Sequence, residues 1–128
     1  MTLQAMTIQD DGAAERRDDA VRDVLRLVEA NRRLQGTLQA NAALCEGSLL
    51  ALLDGADPGD VLDDVDVARA RLELSDSMAA FERARHLARG TFVSAQFVRG
   101  KNMKEIGRRW GISRQLAHRF YKEAHRDV

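Results

Sequence analysis

The chain has one cysteine, one proline, few aromatic residues and no long hydrophobic run. A lone Cys45 excludes an intrachain disulfide and any metal site built on clustered cysteines. His86, His118 and His125 are spaced too widely for a pair of metal ligands at i, i+4. No stretch approaches the ~20 consecutive apolar residues of a membrane span. Met1 to Gly12 lacks the basic and apolar segments of a signal peptide, so a cytoplasmic setting is expected. The pattern contains no Gly-rich phosphate loop, no Ser/His/Asp arrangement and no paired-carboxylate pocket. Neither an enzyme nor a bound cofactor or metal is expected. Strand alternation is also missing: the only β-like run, residues 92–98, keeps the helical phase of its flanks. What remains is a chain of 128 residues, 45% of them apolar, with the composition of a folded all-α protein.

A formal net charge of zero hides a division. Residues 1–80 carry 8 Lys/Arg and 16 Asp/Glu, whereas residues 81–128 carry 12 Lys/Arg and 4 Asp/Glu. Such asymmetry is a mark of nucleic-acid or membrane contact, and the positions of the cations have to decide between these and a merely solvated surface.

Read for organisation, residues 1–13 are a short polar tail. Residues 14–53 form a long helical oligomerisation arm. Val24, Asn31, Leu38, Cys45 and Leu52 recur every seven residues, and Leu27, Leu34, Asn41 and Ser48 form the adjacent row. A helix of that length cannot bury its stripe against so small a domain, so a second copy is the expected partner. Val24, Leu27, Asn31, Leu34, Leu38, Asn41, Cys45 and Leu52 are the expected dimerisation residues. Cys45 is read there as a small buried hydrophobe, and Asn31 and Asn41 as register-fixing polar residues. The only proline lies in Asp54-Gly55-Ala56-Asp57-Pro58-Gly59-Asp60, a turn cluster that makes residues 54–60 a linker. The acidic run Asp54 to Asp66 lacks the calcium-loop glutamate at its twelfth position and reads as solvated chain. Residues 61–128 form a helical domain. One helix is expected from Val61 to about Leu74 with Asp60 as its cap, and another from Ser75-Asp76-Ser77 through Gly90 to Arg99.

The informative stretch is Gly100 to Ala124. Gly100 suits the exit of the preceding helix, and Asn102 with Glu105 three residues on suits the cap of a new one. That helix, Met103 to Trp110, is ended by Gly111. Ile112 plugs the core, and Ser113 caps a second helix from Arg114 to about His125. Two short helices joined by a tight glycine turn match a helix-turn-helix over residues 102–125.

The residues EIGRRWGISRQLAHRF resemble the helix-turn-helix in region 4 of bacterial sigma factors and in many small bacterial regulators. That pattern runs Glu-Ile-Gly, three variable residues, Gly, Val or Ile, Ser-Arg, then apolar residues three and six positions beyond the arginine. Gly107 falls where the two helices cross, and Ile106, Trp110, Ile112, Ala117 and Phe120 fall on the apolar positions. Ala117 departs from the larger β-branched residue usual there, with Trp110 expected to fill the space. Nothing upstream of residue 76 shares in the resemblance.

With Ile112, Leu116, Ala117 and Phe120 packed inward, Ser113, Arg114, Gln115, His118, Arg119 and Lys122 face out. In such motifs the N-terminal part of the second helix enters the major groove and the first crosses the backbone. Arg114, Gln115, His118 and Arg119 are the expected base contacts: arginine can fork to guanine O6 and N7, and glutamine can pair with adenine N6 and N7. Lys101, Lys104, Arg108, Arg109, Ser113 and Lys122 are the expected phosphate contacts, giving affinity without sequence information. Trp110 and Tyr121 are expected in the core and at its edge. The resemblance implies a sequence-specific transcriptional regulator that binds double-stranded DNA as a homodimer. The alternative is a helical interaction module whose N-terminal helix engages another regulator or an RNA polymerase subunit.

Overall fold

A computed structural model describes the backbone of residues 3–126 and the side chains of residues 12–125. Five helices follow in order: α1 (Leu3–Leu53), α2 (Pro58–Val61), α3 (Val67–Val98), α4 (Met103–Trp110) and α5 (Arg114–Arg126). No strand occurs among the described residues, and the fold is all-α. No helix among them is long and apolar enough to cross a membrane.

Several boundaries differ from the sequence reading, each for a local reason. The stretch read as a tail over residues 1–13 is helical from Leu3, where Leu, Gln, Ala and Met favour helix and no proline intervenes. The cap after the turn is Asp57, not Asp60. Its carboxylate accepts the Gly59 N–H at 2.7 Å, with Pro58 in the first turn where its missing N–H costs nothing. That helix stops at Val61, and α3 starts afresh behind Asp66, which accepts the Arg69 N–H at 3.0 Å. Ser75-Asp76-Ser77 opens no new helix. Ser77 is buried inside α3 and its hydroxyl donates to the Leu74 carbonyl at 3.1 Å, so the polar group is satisfied without a break.

The chain forms two compact units, Val28–Arg83 and Met1–Leu27 with Ala84–Val128. In the Val28–Arg83 unit the chain reverses between α1 and α3 into a helical hairpin, whose last α1 turns and first α3 turn line one groove. On α1 the covered positions are Ala30, Leu34, Thr37, Asn41, Ser48 and Ala51, a three-four spacing. On the part of α3 that belongs to this unit, the covered positions are Ala70, Leu74, Ser77, Ala80 and Phe81.

This hairpin revises the reading of the heptad rows. Leu34, Asn41 and Ser48 are already half-buried within one chain. Asn31, Leu38, Cys45 and Leu52 are exposed. Within a single chain Cys45 is exposed rather than buried, at the edge of a groove that it lines with Leu44, Leu49 and Leu52.

In the other unit, Leu27 is half-buried, Val24 is exposed, and Asp23 is buried. Asp23 accepts a hydrogen bond from the Thr91 hydroxyl of α3, so a carboxylate inside the packing has its partner. Val93, Ile106, Ala117 and Phe120 form the core, with Met103, Ile112, Leu116 and Tyr121 packed against it. Trp110 is not a core residue. It is 38% exposed, and Val93 of α3 shares with Ile106 and Phe120 the core around Ala117.

Candidate nucleic-acid interface

The site is set by the junction of α4 and α5. Asn102 accepts the Glu105 N–H at 2.9 Å and so starts α4. Gly111 ends it at φ 68°, a left-handed conformation that a Cβ disfavours. The Ile112 N–H then returns to the Gly107 carbonyl at 2.8 Å. Ser113 accepts the Leu116 N–H at 3.1 Å and starts α5. Gly107 is required by space rather than by dihedral angle. A Cβ there would lie 2.8 Å from the Ile112 carbonyl oxygen and 3.1 Å from that of Ser113, both backbone atoms.

The same packing orients α5. Ala117 and Phe120 are buried, Leu116 and Tyr121 are half-buried, and Ile112 plugs the turn. Phe120 also carries the Arg89 guanidinium 3.6 Å from its ring centroid, a cation–π contact from α3. Tyr121 lies between Phe97 of α3 and His125, with ring centroids 4.7 Å and 4.2 Å away. Gly90 gives the close approach of α3 to α5: a Cβ there would meet the Ala124 Cβ at 2.8 Å.

All the remaining α5 positions named from the sequence are exposed: Ser113, Arg114, Gln115, His118, Arg119 and Lys122. They follow the three-four spacing of the face opposite the core. Arg119 keeps a loose contact with Glu123, Nε to Oε1 at 3.9 Å, and stays 67% exposed along its side chain. The Ser113 hydroxyl is the cap of α5, so its acceptor role is structural.

Lys101, Lys104, Arg108 and Arg109 are exposed as well. Lys101, Arg108 and Arg109 line an open cleft of about 640 Å³ together with Arg99, Gln96 and Glu105. Four cations face one carboxylate there, and Lys101 reaches that carboxylate only at 4.0 Å. Arg99 was not picked out from the sequence because it precedes the motif. Its signal was position, one residue before Gly100 at the head of a basic run. A second missed element is the Trp110 indole N–H, which donates to the Gln96 side-chain oxygen at 2.9 Å and ties the end of α4 to α3. That bond explains why the indole stays on the surface: its N–H is satisfied there and would not be among Val93, Ile106 and Phe120.

Chemically, the arrangement supplies planar and amide donors on one helix face and a basic cleft beside it. No group of three His, Cys, Asp or Glu side chains among the described residues has the geometry to hold a metal ion. No family model, curated protein or solved structure matches this chain.

Proposed function

We propose that the chain is a sequence-specific, DNA-binding transcriptional regulator in which α4 and α5 act as a helix-turn-helix. The observation that carries this reading is the partition of α5. Its apolar residues are all buried or half-buried, while Arg114, Gln115, His118 and Arg119 stand exposed at its N-terminal half. In the major groove that face offers a bidentate arginine fork and a bidentate amide, the two side-chain types best matched to guanine and adenine edges. Arg99, Lys101, Arg108 and Arg109 around the cleft, with Lys104 and Lys122, supply phosphate contacts that fix register. A homodimer would present two copies of α5 to half-sites separated by ~10 bp or a multiple of it.

The test is a binding-site selection from random duplex DNA with the parent protein and with Arg114→Ala and Gln115→Ala. A preferred sequence that each substitution relaxes at one or two base pairs supports the reading. Selection of no sequence by the parent, or of the same sequence at equal affinity by both variants, removes α5 as the reading head.

A further inference from the structure

The tip of the Val28–Arg83 hairpin carries a feature that DNA binding does not use. An open groove of about 360 Å³ runs between the last turns of α1 and the start of α3. Leu44, Cys45, Leu49 and Leu52 of α1 line it, with Leu62 and Val65 of the connection. Its apolar walls face solvent: Leu49 is 56% exposed and Leu62 51%. Clustered exposure of this kind marks an interaction surface, unlike single exposed leucines.

The charge around the groove says what fits it. Between Arg33 and Arg69 the chain has seven carboxylates, from Glu46 to Asp66, and no lysine or arginine. All seven are exposed. Arg69, the first cation beyond them, is paired with Glu73 at 3.1 Å. An acidic rim repels nucleic acid and anionic lipid. It also opposes a second copy of the same tip, which would bring two sets of seven carboxylates together. The α1 wall from Asn41 to Leu52 is roughly 16 Å long at ~1.5 Å per residue, the length of about three helical turns.

We infer that this groove docks an amphipathic helix of a partner protein, with an apolar stripe seated between α1 and α3 and lysine or arginine on its flanks against the acidic rim. This is helix-in-groove recognition, with anchors at i, i+3 or i+4, and i+7. The inference goes beyond the DNA-binding proposal and does not depend on it.

Cys45, the only cysteine, lies in the groove and reports its occupancy. The experiment follows alkylation of Cys45 by neutral iodoacetamide in the full chain as a helical leucine–lysine peptide of roughly 18 residues, about five turns, is added. A companion peptide has glutamate in place of each lysine. A docked helix buries the thiol and slows the reaction about tenfold at saturation. A cationic peptide that lies nearby without docking favours the thiolate and speeds the reaction, so the two cases differ in sign. Protection by the lysine peptide alone is the expected result. It should be lost in Leu49→Asp and Leu62→Asp, both surface positions that leave helicity unchanged. Its half-saturation should rise several-fold when Asp63 and Asp64 are both changed to asparagine. Four results overturn the proposal: no slowing or a faster reaction with the lysine peptide, equal protection by the glutamate peptide, undiminished protection in Leu62→Asp, or protection by duplex DNA. Protection that grows with the concentration of the chain alone also overturns it and makes a second copy the occupant.

Discussion

Gly107 and Trp110 are three residues apart on α4 and fail in different ways when changed. A methyl group at Gly107 has to displace backbone oxygens of Ile112 and Ser113, which a turn this tight cannot yield cheaply. Gly107→Ala is expected to cost about 1–3 kcal/mol as overpacking, seen as a lowered midpoint in urea. Trp110 is large, but it is 38% exposed and held by one hydrogen bond to Gln96. Its truncation should cost less than the ~2–5 kcal/mol of Ile106→Ala, a fully buried aliphatic. If Trp110→Ala proves the more destabilising of the two in the same titration, the core has been misassigned. Thr91→Val addresses the buried Asp23 carboxylate. It leaves the Asp23 carboxylate inside the packing without its hydroxyl donor and should cost about 1–3 kcal/mol. Asp23→Ala in the Thr91→Val background should recover part of that loss, since the unpaired group is then gone. Strict additivity of the two changes would mean that the bond contributes nothing.

At the scale of the helices, α5 separates the residues that pack from those proposed to read DNA. Arg114→Ala and Gln115→Ala face away from Ala117 and Phe120, so helicity should be unchanged. Discrimination at the preferred base pair should fall by ~1–3 kcal/mol if the contact is bidentate. Arg114→Lys keeps the charge but loses the planar fork, and should keep most non-specific affinity while losing part of the preference. Binding-site selection with circular dichroism on each variant checks both halves. Loss of helicity in Arg114→Ala would instead mean that the residue is structural.

The ease of reading these helices from sequence differed along the chain for physical reasons. Asn102, Gly111 and Ser113 are caps whose chemistry is local, and α4 and α5 run over the residues those caps delimit. The α1 rows were a different case. A seven-residue period states that a helix has a seam but not what fills it, and here Leu34, Asn41 and Ser48 are half-buried within a single chain while Asn31, Leu38 and Cys45 are exposed. Serine carries a similar ambiguity: Ser77 and Ser113 look alike in sequence, yet one donates back into its own helix and the other caps. The surface position of Trp110 depended on Gln96, fourteen residues away on another helix, and no local pattern encodes that bond.

For the whole molecule, a net charge of zero means that any attraction to DNA must come from local charge, so salt dependence is the sharpest measure of the reading. The exposed cations Arg99, Lys101, Lys104, Arg108, Arg109 and Lys122 would displace counterions from the duplex, whereas the seven carboxylates between Arg33 and Arg69 would displace none. With about five of the cations on phosphates, log K should fall with log salt at a slope of about −4 to −5 per chain. Arg108→Ala and Arg109→Ala should each reduce that slope by about 1 while weakening all sequences alike. The same measurement bears on the oligomer. A homodimer seated on two half-sites neutralises twice as many phosphates and should double the slope, and sedimentation at the same protein concentration should then report two chains. A monomer by sedimentation with the single-chain slope would leave α5 as a reader of one half-site and remove the homodimer. A slope near zero would remove the phosphate contacts altogether, because exposed cations that touch the backbone cannot do so without releasing ions.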